Sequence, residues 1–158
     1  MKKSTKTYVL SIIFTLAVGI LAALLTRNNM DVYENIRKPY LAPPGVVFPI
    51  VWTVLYTLMG ISFAVVLQKS SKDGIYALPA IILYVLQLAV NFLWSIIFFN
   101  YEAYLFSFIW LLFLWVLIGA MIIKFYEISP LAAYLNIPYF IWVTFAGYLN
   151  FMIYALNA

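Results

Sequence analysis

Five long apolar runs separated by shorter polar stretches account for most of the chain, at about 8–25, 46–67, 75–99, 104–123 and 131–156. A helix needs ~20 apolar residues to cross a ~30 Å hydrocarbon core, and runs of this length read as membrane spans. The pattern predicts an all-α integral membrane protein: one five-transmembrane-helix bundle over residues 1–158, with a long loop at 26–45 between the first two helices. The first run follows Lys2, Lys3 and Lys6, as the apolar part of a signal peptide would. It also carries Ser11, Thr15, Gly19 and Ala23 at a spacing of four. Such a small-residue face lets two helices approach closely, so a retained, packed span is expected. Residues 68–74 read as a short basic turn and 100–103 as a tight one.

The stretch 39–60, PYLAPPGVVFPIVWTVLYTLMG, passes from a proline-rich loop into the second span. Pro43 and Pro44 hold the loop extended, because each fixes φ and pushes the preceding residue out of the α region. Pro49 falls near the start of the helix, where a missing N–H costs least. Trp52 and Tyr56 follow at i and i+4 and share one face. Tyr33, Ile36, Tyr40 and Leu41 give the loop something to bury, so a folded lid is expected rather than disorder.

Composition restricts the chemistry. The chain is 67% hydrophobic and 9% charged, more apolar surface than a soluble domain of 158 residues hides. Cysteine and histidine are both absent, which excludes the usual zinc sites, Ser-His-Asp and Cys-His catalysis, and haem held by His or Cys. No metal site and no intrinsic cofactor are expected. The net charge of +4 arises near segment ends, which gives a nucleic-acid partner no footprint. Lys2, Lys3, Lys6, Lys69, Lys72 and Lys124 fall on one side of the bundle, and Arg27, Arg37 and Lys38 on the other. That bias predicts a cytoplasmic N-terminus, with the long loop and the C-terminus outside. No charged residue lies deep in a span and no internal repeat is visible, which leaves proton relays and paired-repeat transporters without their usual parts.

Polar groups nevertheless recur within three spans. Gln87, Asn91 and Ser95 lie every fourth residue on the third, flanked by Trp94 and Phe98. Tyr139, Trp142, Ala146, Asn150 and Tyr154 form a stripe on the fifth, and Trp52 and Tyr56 mark the second. Unpaired amides cost several kcal/mol in hydrocarbon, so these faces should turn inward. There they either glue helices, at ~0.6 to 2 kcal/mol per bond, or line a site. Three such faces beside a stiffened loop suit a pocket for a flat, mostly apolar ligand with a few polar edges. Tyr8, Tyr101, Tyr104 and Tyr126 read as interface anchors, and Trp110 and Trp115 as packing or lipid-facing residues.

The motif set resembles the tryptophan-rich sensory protein/translocator protein family (TspO/MBR), also called the peripheral-type benzodiazepine receptor. The matching residues are Tyr33, Lys38-Pro39, Pro43-Pro44, Trp52, Leu55-Tyr56 and Met59-Gly60 from the lid and second helix. The third helix adds Leu83-Tyr84, Gln87, Asn91, Trp94 and Phe98-Phe99; the fifth adds Pro138-Tyr139, Trp142, Phe145-Ala146 and Leu149-Asn150. The resemblance implies a bundle that dimerises in a bacterial cell membrane, with a pocket near the loop. Its ligands would be tetrapyrroles such as protoporphyrin IX and isoquinoline or benzodiazepine drugs. It places Trp52, Asn91, Trp142 and Ala146 in the pocket, with Tyr33 and Pro44 in the lid. With the polar stripes, the candidate ligand-binding set is Tyr33, Pro44, Trp52, Tyr56, Gln87, Asn91, Trp94, Ser95, Trp142, Phe145, Ala146, Leu149 and Asn150. The animal members' sterol pattern needs Lys or Arg after a tyrosine. This chain ends Tyr154-Ala155-Leu156-Asn157-Ala158, so cholesterol is not expected.

Three functions compete on this reading. The chain is a tetrapyrrole-binding sensor, an enzyme of light- and oxygen-dependent porphyrin breakdown with Trp52 and Trp142 as electron donors, or a transporter or scaffold without catalytic activity. Binding, with light-driven degradation as an added activity, is the preferred expectation.

Overall fold

The computed structural model describes residues 3–158, with side chains from Ser4 onward; Lys2 and the Lys3 side chain, both counted in the charge bias, lie outside the described residues. The chain forms α1 (Lys3–Thr26), a 3-10 turn (Arg27–Asn29), α2 (Asp31–Asn35), α3 (Val47–Asp73), α4 (Leu78–Phe99), α5 (Tyr104–Ile128), α6 (Pro130–Tyr134) and α7 (Ile137–Asn157). Among the described residues five helical segments are long and apolar enough to cross a membrane, α6 and α7 together making the fifth. The expected all-α five-helix bundle is therefore present.

α1 starts at Lys3 and α4 at Leu78, against the expected 8 and 75, and three further boundaries differ for a local reason. The basic turn expected at 68–74 is helical as far as Asp73, and the helix ends where Gly74 takes φ +67. Lysines and serines carry a helix well beyond hydrocarbon, and a glycine adopts the left-handed cap at no steric cost. α5 runs on to Ile128, past the expected 123, and stops at Ser129, which is extended (φ −155, ψ 115) ahead of Pro130. The last span, expected to run unbroken over 131–156, is interrupted at Leu135–Asn136. Pro138 has no N–H and its ring would crowd the carbonyl of Tyr134, so it starts a new helix instead of continuing one.

The break is held by a buried polar knot. Asn136 Nδ2 donates to Ser62 Oγ at 2.6 Å and to the Ala132 carbonyl at 2.9 Å, and Ser62 Oγ donates to that same carbonyl at 2.7 Å. The Ala132 carbonyl, freed by the interrupted helix, thus finds a partner on α3, as a low-dielectric interior demands.

α1 lies against α3 and α4, α4 against α5, and α5 against α7, while α6 fits between α3 and α5. α3 and α7 meet through aromatic rings: Phe48 with Trp142 at 5.9 Å and Trp52 with Tyr139 at 6.1 Å. The small-residue face of α1 turns inward as far as Gly19, while Ala23, its fourth member, is exposed. Ser11 and Thr15 are buried, and Thr15 shares a hydrogen bond with the Tyr84 hydroxyl. A side chain at Gly19 would run into the Tyr56 ring. Gly19→Leu should therefore lower the thermal midpoint in detergent, and an unchanged midpoint would mean this face looks at lipid.

Both ends of the bundle are tied. Ser4 and Gln68 exchange two hydrogen bonds, of 3.1 and 2.9 Å, at one end. At the other, Asn29 donates to Asn100 at 2.9 Å, and the Asn157 amide pairs with the backbone N–H and carbonyl of Arg37 at 3.0 and 2.9 Å. Ser4 and Ala158 therefore lie at opposite ends. Single cysteines placed there, in a chain without cysteine, should label from opposite membrane faces. Labelling from one face would contradict an odd number of spans.

Candidate functional site

The loop-side end of the bundle encloses a cavity of about 350 Å³. α1 supplies Gly19, Ala22, Ala23 and Thr26, all short enough to leave space. Aromatic walls come from Phe48 and Trp52 on one side and Trp94, Phe98 and Phe99 on the other. Ala146, Leu149, Asn150 and Ile153 of α7 form the far side, and Tyr33 of α2 closes the top.

The lid is pinned through Tyr33. Its hydroxyl donates to the Pro43 carbonyl at 2.8 Å, its ring meets Phe48 edge-on at 5.0 Å, and Lys38 Nζ sits 4.6 Å from its centroid while pairing with Glu34 at 3.6 Å. Burial first, and the neighbouring Glu34 carboxylate second, push the Tyr33 phenol above its ordinary value. A raised phenol stays a neutral donor throughout the physiological range. Its contribution to the closed lid is complete below the usual tyrosine value and is lost only as pH rises through the raised one.

Of the expected ligand-binding residues, Tyr33, Trp52, Tyr56, Trp94, Ser95, Ala146, Leu149 and Asn150 line the cavity. Pro44, Gln87, Asn91, Trp142 and Phe145 lie outside that lining. Gln87 and Asn91 instead sit behind it as a buried network. Asn91 Nδ2 donates to the hydroxyls of Tyr56 (3.3 Å) and Tyr139 (3.1 Å), and Tyr139 donates to Gln87 Oε1 at 2.8 Å. This bracket holds Tyr56 in the cavity wall from behind. Trp142 is one ring removed, against Phe48 at 5.9 Å and Phe145 at 5.6 Å. Pro44 is exposed in the lid.

Polar atoms in the wall are mostly satisfied by protein. Asn150 Oδ1 accepts from Trp94 Nε1 and Ser107 Oγ, both at 3.1 Å, and its amide donates to the Tyr104 carbonyl at 2.8 Å. Thr26 Oγ1 donates to the Ala22 carbonyl at 2.9 Å. Behind the wall, two buried atoms have no protein partner, Asn91 Oδ1 and Trp142 Nε1. An acceptor and a donor left unpaired beside an apolar cavity cost about 1–3 kcal/mol each.

Sequence reasoning did not assign α1 to the cavity. The signal was present, since the same small residues that permit close packing also leave room where no side chain faces them. Phe48, Met30 and Ile153 belong to no polar stripe and were not foreseen. Trp110 and Trp115, expected as packing or lipid-facing residues, also make specific bonds: Trp110 Nε1 donates to the Val90 carbonyl at 2.8 Å and Trp115 Nε1 to Thr144 Oγ1 at 2.9 Å.

Comparison with known proteins matches residues 11–156 to the TspO/MBR family. The chain belongs to the TspO/MBR family. It is 35% identical to the tryptophan-rich protein TspO of Chlorobaculum tepidum over 99% of both chains. It is 36% identical to the protein CrtK of Rhodobacter capsulatus over 79% of this chain and 78% of that one. Similarity reaches the translocator protein of Sus scrofa, at 29% over 91% of this chain and 88% of the relative. The match begins at Ser11 and ends at Leu156, so it covers the lid, the three middle spans and most of the first and last. A TspO/MBR protein of this sequence is an integral membrane protein of the sensor and translocator type.

Proposed function

We propose that this chain is a membrane receptor for tetrapyrroles such as protoporphyrin IX, bound under the loop lid with the flat ring against Trp52 and Phe98. The observation that carries this reading is the lidded, aromatic-walled cavity, whose volume falls in the ~300–1,000 Å³ range of small-molecule sites. Its walls suit a large apolar ring, and with Asn150 and Thr26 paired within the protein little in its depth would bind a hydrophilic molecule. Isoquinoline- and benzodiazepine-type drugs, flat and aromatic, compete for the same space. The reading extends to a homodimer with a cytoplasmic N-terminus in a bacterial cell membrane. Degradation is an added activity: the light-excited ring takes an electron from Trp52 and passes it to dioxygen, the oxidised Trp52 takes one back from the ring, and the ring radical cation combines with superoxide, so dioxygen is the oxidant and Trp52 ends unchanged. Trp142 acts through Phe48, holding the wall from behind.

A cavity-filling change tests the binding site. Ala146→Phe places a ring inside the space while the rest of the fold is untouched. Protoporphyrin affinity should fall at least tenfold with an unchanged thermal midpoint. Retained affinity at an unchanged midpoint would move the site elsewhere.

A further inference from the structure

The cavity has one open side. Among its lining residues Ala23, Arg27, Met30 and Pro49 are exposed, whereas Ala22, Thr26, Tyr33 and Tyr56 are buried. The exposed four come from the loop-side end of α1, the turn after it, and the first turn of α3. They mark a mouth at the seam between α1 and α3, at the level where the chain leaves the hydrocarbon. Arg27 is the one charged residue in the lining. It makes no salt bridge or side-chain hydrogen bond among the described residues, while the nearby Lys38 and Glu34 pair with each other. A guanidinium without a partner, at the rim of an apolar cavity, presents a forked donor set shaped for a carboxylate or similar oxyanion.

We infer that the cavity selects anionic amphiphiles: the apolar body lies among the aromatics and a carboxylate or sulfonate stops at the mouth on Arg27. The inference deepens the tetrapyrrole reading and rests on the same cavity. It predicts a preference that apolar packing alone does not supply, since removing the anion changes neither ring nor shape of the body. Ser95, half-buried and without a hydrogen-bond partner among the described residues, is the other lining group left to meet a polar edge, but it carries no charge to distinguish an acid from its ester.

The test compares protoporphyrin IX with its dimethyl ester by quenching of tryptophan fluorescence, in uncharged detergent and in the dark. Wild type should favour the diacid by about three- to fivefold, the size of a partly exposed ion pair, and less in high salt. Arg27→Gln should bring the two affinities together by weakening the diacid alone, and Arg27→Lys should keep much of the preference. A second pair, anilinonaphthalene sulfonate against uncharged N-phenylnaphthylamine, separates this claim from the tetrapyrrole reading. If neither porphyrin binds saturably but the sulfonate is preferred through Arg27, anion selection stands and the tetrapyrrole reading falls. Equal binding of acid and ester, or a preference that survives Arg27→Gln, overturns anion selection and leaves the tetrapyrrole reading intact. Saturable binding by neither pair overturns both.

Discussion

Replacing Gly60 with leucine is expected to cost the bundle roughly 3 kcal/mol, a fall of roughly 10 °C in its thermal midpoint. Gly60 lies on α3 where α1 crosses it, and a Cβ there would sit 2.6 Å from the Ile12 Cα and 3.1 Å from its nitrogen. Those atoms are backbone, so no rotamer change relieves the collision; the helices must separate. Separation also pulls apart Thr15 and Tyr84, and opens the wall that Gly19 shares with Tyr56. Gly119 gives the matched control, because a Cβ there would meet only Phe140 at an ordinary 3.7 Å. Gly60→Ala should destabilise, while Gly119→Ala should be neutral or gain up to ~1 kcal/mol of helix propensity. Equal midpoints for the two alanine variants would mean that α1 and α3 do not cross at Gly60.

Light-driven decay of protoporphyrin is expected to fall at least tenfold in Trp52→Phe, with affinity reduced only about fivefold. Phenylalanine keeps most of the stacking surface but lacks the N–H and the easily oxidised ring. A lost hydrogen bond is worth ~1 kcal/mol, which limits the binding effect. Trp52 is half-buried in the cavity wall, with Tyr56 at 5.4 Å. Trp142 lies behind Phe48, so Trp142→Phe should slow decay less than Trp52→Phe does. Asn91→Ala should do the opposite of Trp52→Phe, weakening binding without touching redox capacity, because it frees Tyr56 and Tyr139 from the bracket behind the wall. Equal decay in wild type, both tryptophan variants and protein-free detergent would reject a catalytic role and leave the receptor.

Much of this architecture was legible because lipid allows few solutions. Every backbone polar group in a span must be satisfied within the helix, so apolar length alone announced five helices. The four-residue recurrence of Gln87 and Asn91 announced an inward face for the same reason. Their role was less legible: the amides read equally as glue or as lining, and in the structure they grip Tyr56 and Tyr139 from behind. What decided this is a register between helices far apart in sequence, which no single stripe encodes. The break at Asn136 was hidden similarly. Pro138 alone fits an early helix position or a kink, and only the partner Ser62, 74 residues away, makes the break affordable. Helix ends in water were not legible: α3 and α5 run past the expected 67 and 123 to stops set by Gly74 and by Ser129-Pro130.

The central claim, a ligand cavity under the lid, is tested most directly by titrating protoporphyrin IX in the dark onto purified protein, with and without an isoquinoline competitor. The account predicts saturable quenching of tryptophan fluorescence that the competitor reverses and that Ala146→Phe removes. Quenching that rises without saturation, matches protein-free partition into detergent and ignores both competitor and substitution would contradict it.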